Sequence, residues 1–163
     1  MNIENFFLLN QGSWLTQKTY YSLKKKQHNT QKGKLQVKKI EFPQNLGNNA
    51  LLNFKQNKME TYEIVWNDDL QNKDIIAIYI KNHNQNNSAD GTIYKFKNKS
   101  IDEASKSNFK LEKNVLTTYT KQDVFHIEEK IWFVNSNLRL SESKVKNNEG
   151  CINISFSSEI KIS

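Results

Sequence analysis

Val124-Phe125-His126-Ile127-Glu128-Glu129-Lys130-Ile131-Trp132-Phe133-Val134, then Asn135-Ser136-Asn137, then Leu138-Arg139-Leu140-Ser141-Glu142-Ser143-Lys144-Val145-Lys146 reads as two alternating strands about a three-residue loop. Asn tolerates the left-handed conformation such a loop needs. That register places the odd-numbered residues on one face. Phe125, Ile127, Glu129, Ile131 and Phe133 come from the first strand, and Arg139, Ser141, Ser143 and Val145 from the second. His126, Glu128, Lys130, Glu142 and Lys144 form a solvated opposite face. Trp132, Leu138 and Leu140 share that outer face, with an N-terminal helix as a candidate cover. Glu129 and Arg139 are the formal charges on the apolar face. A buried charge must be paired or kept for a ligand, because leaving it bare costs several kcal/mol.

Two readings of this couple stand side by side: a structural Glu129–Arg139 ion pair, or a site for a carboxylate-bearing ligand. Composition favours the second. Of 24 basic residues, Arg139 alone is arginine. Keeping the one guanidinium in a lysine-rich chain points to a need for its flat, bidentate fork.

Outward from the hairpin, short alternating segments continue in both directions. Ile3 to Leu9 is expected to be helical, with Asn2 as cap and Gly12 as stop. Strands are expected over Trp14 to Gln27, Lys34 to Phe42, Met59 to Trp66 and Asp74 to Lys81. Further strands are expected over Thr92 to Phe96, Asn108 to Glu112 and Val115 to Thr120, and from Cys151 onward. Asn67-Asp68-Asp69 is a turn, Asn45 to Asn57 an irregular connection, and Asn82 to Asp90 a polar loop. Eight to ten strands with no long helix between them make an antiparallel meander. Closure into a barrel is the usual way to remove its edges, and two packed sheets are the alternative.

The chain of 163 residues is expected to be one domain, 1–163. Its net charge of +7 invites a nucleic-acid reading. However, Lys and Asn in excess over Arg are what AT-rich codon drift produces, and the lysine runs are not interleaved with stacking aromatics. No stretch reaches the ~20 apolar residues of a membrane span. One cysteine, Cys151, excludes an internal disulfide and fits a reducing compartment. His28, His83 and His126 have no metal-ligand spacing and are expected at the surface. No metal and no cofactor of the protein's own are expected.

Glu128-Glu129-Lys130-Ile131-Trp132-Phe133, Asn137-Leu138-Arg139 and Ser157-Ser158-Glu159-Ile160 resemble the C-terminal signature of the S-type (CpcS/CpeS) phycobiliprotein bilin lyases. Phe6-Phe7, Gly12-x-Trp14 and Thr16-Gln17-Lys18-Thr19 are similar to the family's N-terminal pattern, and Trp66 and Asp68 to its M-x-W-D strand. The two ends carry the likeness; the middle, from about Asn67 to Lys121, is weak. The resemblance implies an all-β, lipocalin-like antiparallel barrel of about ten strands with a short N-terminal helix. It also implies a bilin, an open-chain tetrapyrrole, as bound substrate. The activity implied is transfer of a free phycobilin, phycoerythrobilin favoured, to a cysteine of an apo-phycobiliprotein subunit, phycoerythrin β favoured, as a thioether. Location in the cyanobacterial cytoplasm or plastid stroma follows, as a monomer or homodimer.

On that basis Glu129, and second Asp68, are the expected catalytic carboxylates. Arg139 would clamp a propionate, Ser141 and Ser143 would add hydroxyl bonds, and Glu159 would orient Arg139. Trp66, Trp14 and Tyr20 are expected as flat walls. Lys18 stands where the family usually has Arg, and Ser141 where a second basic residue is common. The alternative function is a non-catalytic lipocalin-type carrier of a small apolar carboxylate, and a third is a basic nucleic-acid-binding barrel. Transfer to an added client separates carrier from lyase.

Overall fold

Asn2 opens the first element: its side chain accepts the Asn5 N–H at 2.8 Å, and α1 (Ile3–Leu9) follows. The structure, a computed structural model, describes residues 1–46, 59–83, 87–100 and 104–163. After α1 come β1 (Gly12–Ser22), β2 (Gln27–Ile40), β3 (Met59–Trp66), β4 (Lys73–His83) and β5 (Ala89–Phe96). β6 (Ala104–Glu112), β7 (Val115–Gln122), β8 (Phe125–Asn135), β9 (Leu138–Asn147) and β10 (Gly150–Lys161) complete the order. Each strand pairs antiparallel with the next, and β1 pairs with β10, so the sheet closes on itself. The all-β barrel with a short N-terminal helix is the architecture expected from the sequence.

Boundaries differ where side-chain pattern and backbone pairing diverge. The first strand ends at Ser22 rather than Gln27, because the chain reverses through Leu23 to Lys26, with Lys26 at φ 50°. β2 begins at Gln27, well before Lys34. Its early residues have no apolar alternation, but they pair with β1 from Ser22↔Gln27 onward. Likewise Asn82 pairs with Asp90 and His83 with Ala89, so these four are strand residues rather than loop. The polar stretch survives as strand because its backbone groups are satisfied by the ladder and the Asn82 amide donates to Asp90 at 3.0 Å. β6 starts at Ala104, ahead of Asn108. Gln44–Leu46 is a 3-10 turn, and the rest of the expected connection to Asn57, with 84–86 of the expected loop, lies outside the described residues.

α1 plugs one end of the barrel. Ile3, Phe6 and Phe7 join one cluster with the inward residues Trp14, Leu35, Val37, Tyr62, Ile78, Phe109, Leu111 and Leu116. The Phe6 ring meets Phe133 at 5.2 Å and Phe7 meets Phe109 at 6.1 Å, both edge-on. The helix therefore lies against the inner wall, and does not cover Trp132, Leu138 and Leu140 on the outer one. Its apolar residues pair with Phe133, whose side chain points the other way from Trp132. A second cluster, Leu46 with Ile75, Ala77, Tyr94 and Phe96, covers the outside of β4 and β5. This gives β4 its unbroken apolar run, since both its faces are covered.

Candidate functional site

Cross-strand register sorts the inner wall of β1, β10, β9 and β8 into rows. Deepest is Thr16–Glu159–Arg139–Phe133, then Lys18–Ser157–Ser141–Ile131. Above them lies Tyr20–Ser155–Ser143–Glu129, and nearest the mouth Ser22–Asn153–Val145–Ile127. The upper rows bound a chamber of about 520 Å³ lined by Lys18, Tyr20, Glu129 and Ser143 among others. That size is in the usual range for small-ligand pockets. Four residues singled out in the sequence thus share one wall, with Ser141 in the row of Lys18.

Arg139 sits deeper and is committed. Its Nε–H donates to Glu159 and its Nη1–H to the Asn10 side chain, and its guanidinium carbon lies 5.0 Å over the Trp14 ring. Arg139 and Glu159 are both buried, so this is a low-dielectric ion pair with a cation–π lid. The Trp14 Nε1–H donates to the Asn10 carbonyl at 2.9 Å, and Lys161, its Nζ 4.8 Å from the centre of the Trp14 ring, donates to the Leu9 carbonyl at 2.9 Å. Two cations thereby meet the carboxyl end of α1, where the helix dipole favours them. Of the two readings of the Glu129–Arg139 couple, the structural ion pair is not formed: Arg139 pairs with Glu159, which stands directly opposite it, while Glu129 stands opposite Ser143.

Glu129 is left unpaired: it makes no hydrogen bond or ion pair with any described residue. Burial pushes its carboxyl above the ordinary range; the charges of Lys18, Arg139 and Lys95 pull it down, and Glu159 pushes it up. The shift is upward overall. Trp66 and Asp68 lie apart from this wall. Trp66 faces Leu35 across the β2–β3 ladder and is 43% exposed. Asp68, in the turn after β3, is exposed and bridges to Lys34 at 3.2 Å. His28, His83 and His126 are exposed, and no group of three or more His, Cys, Asp or Glu among the described residues is placed to hold a metal.

Three contributors escaped the sequence reading. Asn10, just past α1, is the second anchor of Arg139; Lys161 closes over Trp14. Lys95 shares the inner face of β5 with Ile93 and ion-pairs with Asp74 at 3.9 Å. Alternation within Thr92 to Phe96 already put Lys95 beside Ile93 and opposite Tyr94 and Phe96, so that signal was present. Nothing in the local sequence marked Asn10 or Lys161.

A family model for CpeS-like proteins matches residues 2–162. The chain belongs to the CpeS-like family. It is 28% identical over 158 residues to a chromophore lyase CpcS/CpeS homolog of Porphyra purpurea, covering 97% of each chain. It is 27% identical over 168 residues to the homolog of Pyropia yezoensis, covering 99% of each. Among solved structures, the S-type phycobiliprotein lyase CPES from Guillardia theta superposes with a TM-score of 0.79 at 18% identity, over all of this chain and 94% of that one. A DUF3598-family protein from Nostoc punctiforme shares the barrel more loosely, at TM-score 0.55 and 11% identity, over 95% of this chain and 48% of that one. At such identities the structural likenesses speak for the fold. Family membership matches what the signature residues around Glu129 and Arg139 implied. No helix among the described residues is long and apolar enough to cross a membrane.

Proposed function

We propose that this CpeS-like protein holds a free phycobilin in the barrel and passes it to a cysteine of a phycobiliprotein subunit, with phycoerythrobilin and phycoerythrin β as the favoured pair. The observation that carries the reading is Glu129, a carboxyl lining a ligand-sized chamber, with no hydrogen-bond or ion-pair partner among the described residues and a pKa raised by burial. Membership of the CpeS-like family supports the class of ligand and of reaction. The cyanobacterial cytoplasm or the plastid stroma is the corresponding location.

A bilin carries pyrrole nitrogens that need an anionic partner, two propionates, and an ethylidene group. When the Glu129 carboxyl gives its proton to the chromophore, the carboxylate left behind accepts the pyrrole N–H bonds and stays beside the cation as counter-ion. The cationic conjugated system is then a better electrophile. The client thiol adds across the ethylidene double bond: sulfur bonds to the exocyclic carbon, the ring carbon takes the proton, and nothing leaves. Lys18 takes one propionate at the chamber wall. Arg139, held flat by Glu159 and Asn10 on Trp14, offers its remaining N–H groups to the other from below. Ser141 and Ser143, on the rows between Arg139 and the mouth, add hydroxyl bonds, and Tyr20 and Trp66 bound the chromophore plane. Asp68, exposed on the rim, stands second to Glu129 as a carboxylate partner.

The test is Glu129→Gln and Arg139→Gln, each mixed with phycoerythrobilin and an apo-phycoerythrin subunit. Glu129→Gln is expected to bind bilin but lose roughly 10²–10⁴ in transfer rate, the usual scale for such a group. Arg139→Gln is expected to weaken binding. Acid-stable chromophore appearing on the client at the wild-type rate in both variants would refute the assignment, and binding without any transfer by the wild type would make it a carrier.

A further inference from the structure

The outer wall of β6 to β9, beside the mouth, carries a second cavity of about 580 Å³. Lys106, Lys121, Lys144 and Lys146 line it, with His126 and one carboxylate, Glu128. Ile127 borders both this groove and the interior chamber, so the two meet at the rim. Register makes the charge arrangement specific. Lys121 stands directly opposite His126, and His126 directly opposite Lys146.

Two lysines thus flank His126 on the neighbouring strands. None of the four lysines takes part in an ion pair with a described residue, and Glu128 leans instead toward Lys130 at 3.9 Å. Elsewhere on the chain, lysines do sit against carboxylates: Lys34 on Asp68, Lys73 and Lys99 on Glu63, Lys110 on Glu112. Codon drift accounts for many lysines, but not for four of them gathered at the barrel's mouth against one carboxylate, Glu128, which stands opposite Lys144. Exposed Tyr119 adds a flat apolar contact within it.

We propose that this groove seats an acidic segment of the acceptor subunit and so brings the acceptor's cysteine over the mouth. The inference rests on the lyase reading above. α1 fills the opposite end with buried Ile3, Phe6 and Phe7, so the thiol meets the chromophore from the mouth side. A groove outside the chamber but continuous with it at Ile127 holds the acceptor without displacing the bilin. Charge complementarity of this kind steers encounter and fixes register, and is weakened by salt.

The experiment uses two triple variants at Lys121, Lys144 and Lys146, all to Glu or all to Gln, with Lys81→Glu, exposed on β4, as control. Each is loaded with phycoerythrobilin, its bound spectrum recorded, and then mixed with an apo-phycoerythrin subunit at rising NaCl. Both triples are expected to bind bilin with the wild-type spectrum. The Glu triple should transfer at least ten-fold more slowly, the Gln triple less severely, and the salt dependence seen for the wild type should flatten in both. Should charge reversal prevent folding, the Gln triple alone decides. Transfer at the wild-type rate and salt dependence overturns the proposal. So does parallel loss of bilin binding, which would make the groove part of the ligand's seat. A wild-type protein that binds no bilin fails the function reading instead, before the groove is reached.

Discussion

The Arg139–Glu159 pair is open to a quantitative test. Both side chains are about nine-tenths buried, each 9% exposed in the ion pair, and Asn10 supplies the only other side-chain hydrogen bond shown for the guanidinium among the described residues. Glu159→Gln leaves a buried guanidinium without its counter-charge, close to Lys161 on the same indole. Breaking one side of a buried pair costs about 3–5 kcal/mol. At about 2–4 °C per kcal/mol for a chain of this length, the midpoint of thermal unfolding should fall by about 6–20 °C. Arg139→Met should cost a similar amount, since it strands the carboxylate. The double change Arg139→Met with Glu159→Leu removes both charges and leaves only the Asn10 amide oxygen short of a donor, which is worth about 1–3 kcal/mol. The double variant should thus be more stable than either single one, with a coupling energy of about 3 kcal/mol or more. Urea unfolding at one pH of the wild type, Arg139→Met, Glu159→Leu (which strands the guanidinium as Glu159→Gln does) and the double variant gives that number. A coupling below about 0.5 kcal/mol, the level of independent sites, refutes the claim that the pair acts as one buried unit.

Glu129 carries a pH signature. Its folded-state pKa is raised, so the folded protein holds the proton more tightly than the unfolded chain. Its favourable contribution is present below the unfolded value and is lost as pH rises through the folded one. Glu129→Gln should therefore gain stability over wild type with rising pH and converge on it in acid; a pH-independent difference in urea midpoint contradicts this. At Gly91 an added Cβ would overlap the Tyr79 carbonyl and the Phe109 ring, so Gly91→Ala should destabilise by about 1–3 kcal/mol. Stabilisation, the ordinary result of Gly→Ala where the backbone conformation permits it, would show the strand approach to be looser than described. Phe6→Ala removes the ring that meets Phe133 and should cost about 3–5 kcal/mol in thermal or urea unfolding, whereas a loss under 1 kcal/mol would mean that α1 is dispensable to the core.

The facing of the closing hairpin was legible, because one alternation on each strand fixes every side chain's face; its turn was not, since Asn135 is a strand residue opposite Leu138 across a two-residue Ser136-Asn137 turn, and a register shift between Phe133 and Asn135 keeps Phe133 opposite Arg139. The helix cap at Asn2 was equally plain. Polar strand residues such as Gln27 to Lys32, Asn82 and His83 were not, since their strand state comes from backbone pairing with a neighbour rather than from any side-chain period. The partner of Arg139 could not be chosen by counting faces on one hairpin. Glu159 lies on the next strand, and its register opposite Arg139 is set by the β9–β10 turn. Asn10 and Lys161 are close only because the barrel brings the first and last strands together.

That closure has a consequence for how the chain comes to hold anything at all. Every neighbouring strand pair but one is joined by a local connection; β1 and β10 meet across nearly the whole length of the chain, from Trp14↔Lys161 to Ser22↔Asn153. Contacts so distant in sequence form last and slowly. Until β10 emerges during synthesis, β1 and β9 stand as open edges, and Glu159 is not there to meet Arg139. The chamber thus has no existence as a growing intermediate: chromophore loading is confined to the finished barrel, and the interval before it is when the two bare edges invite association with other chains.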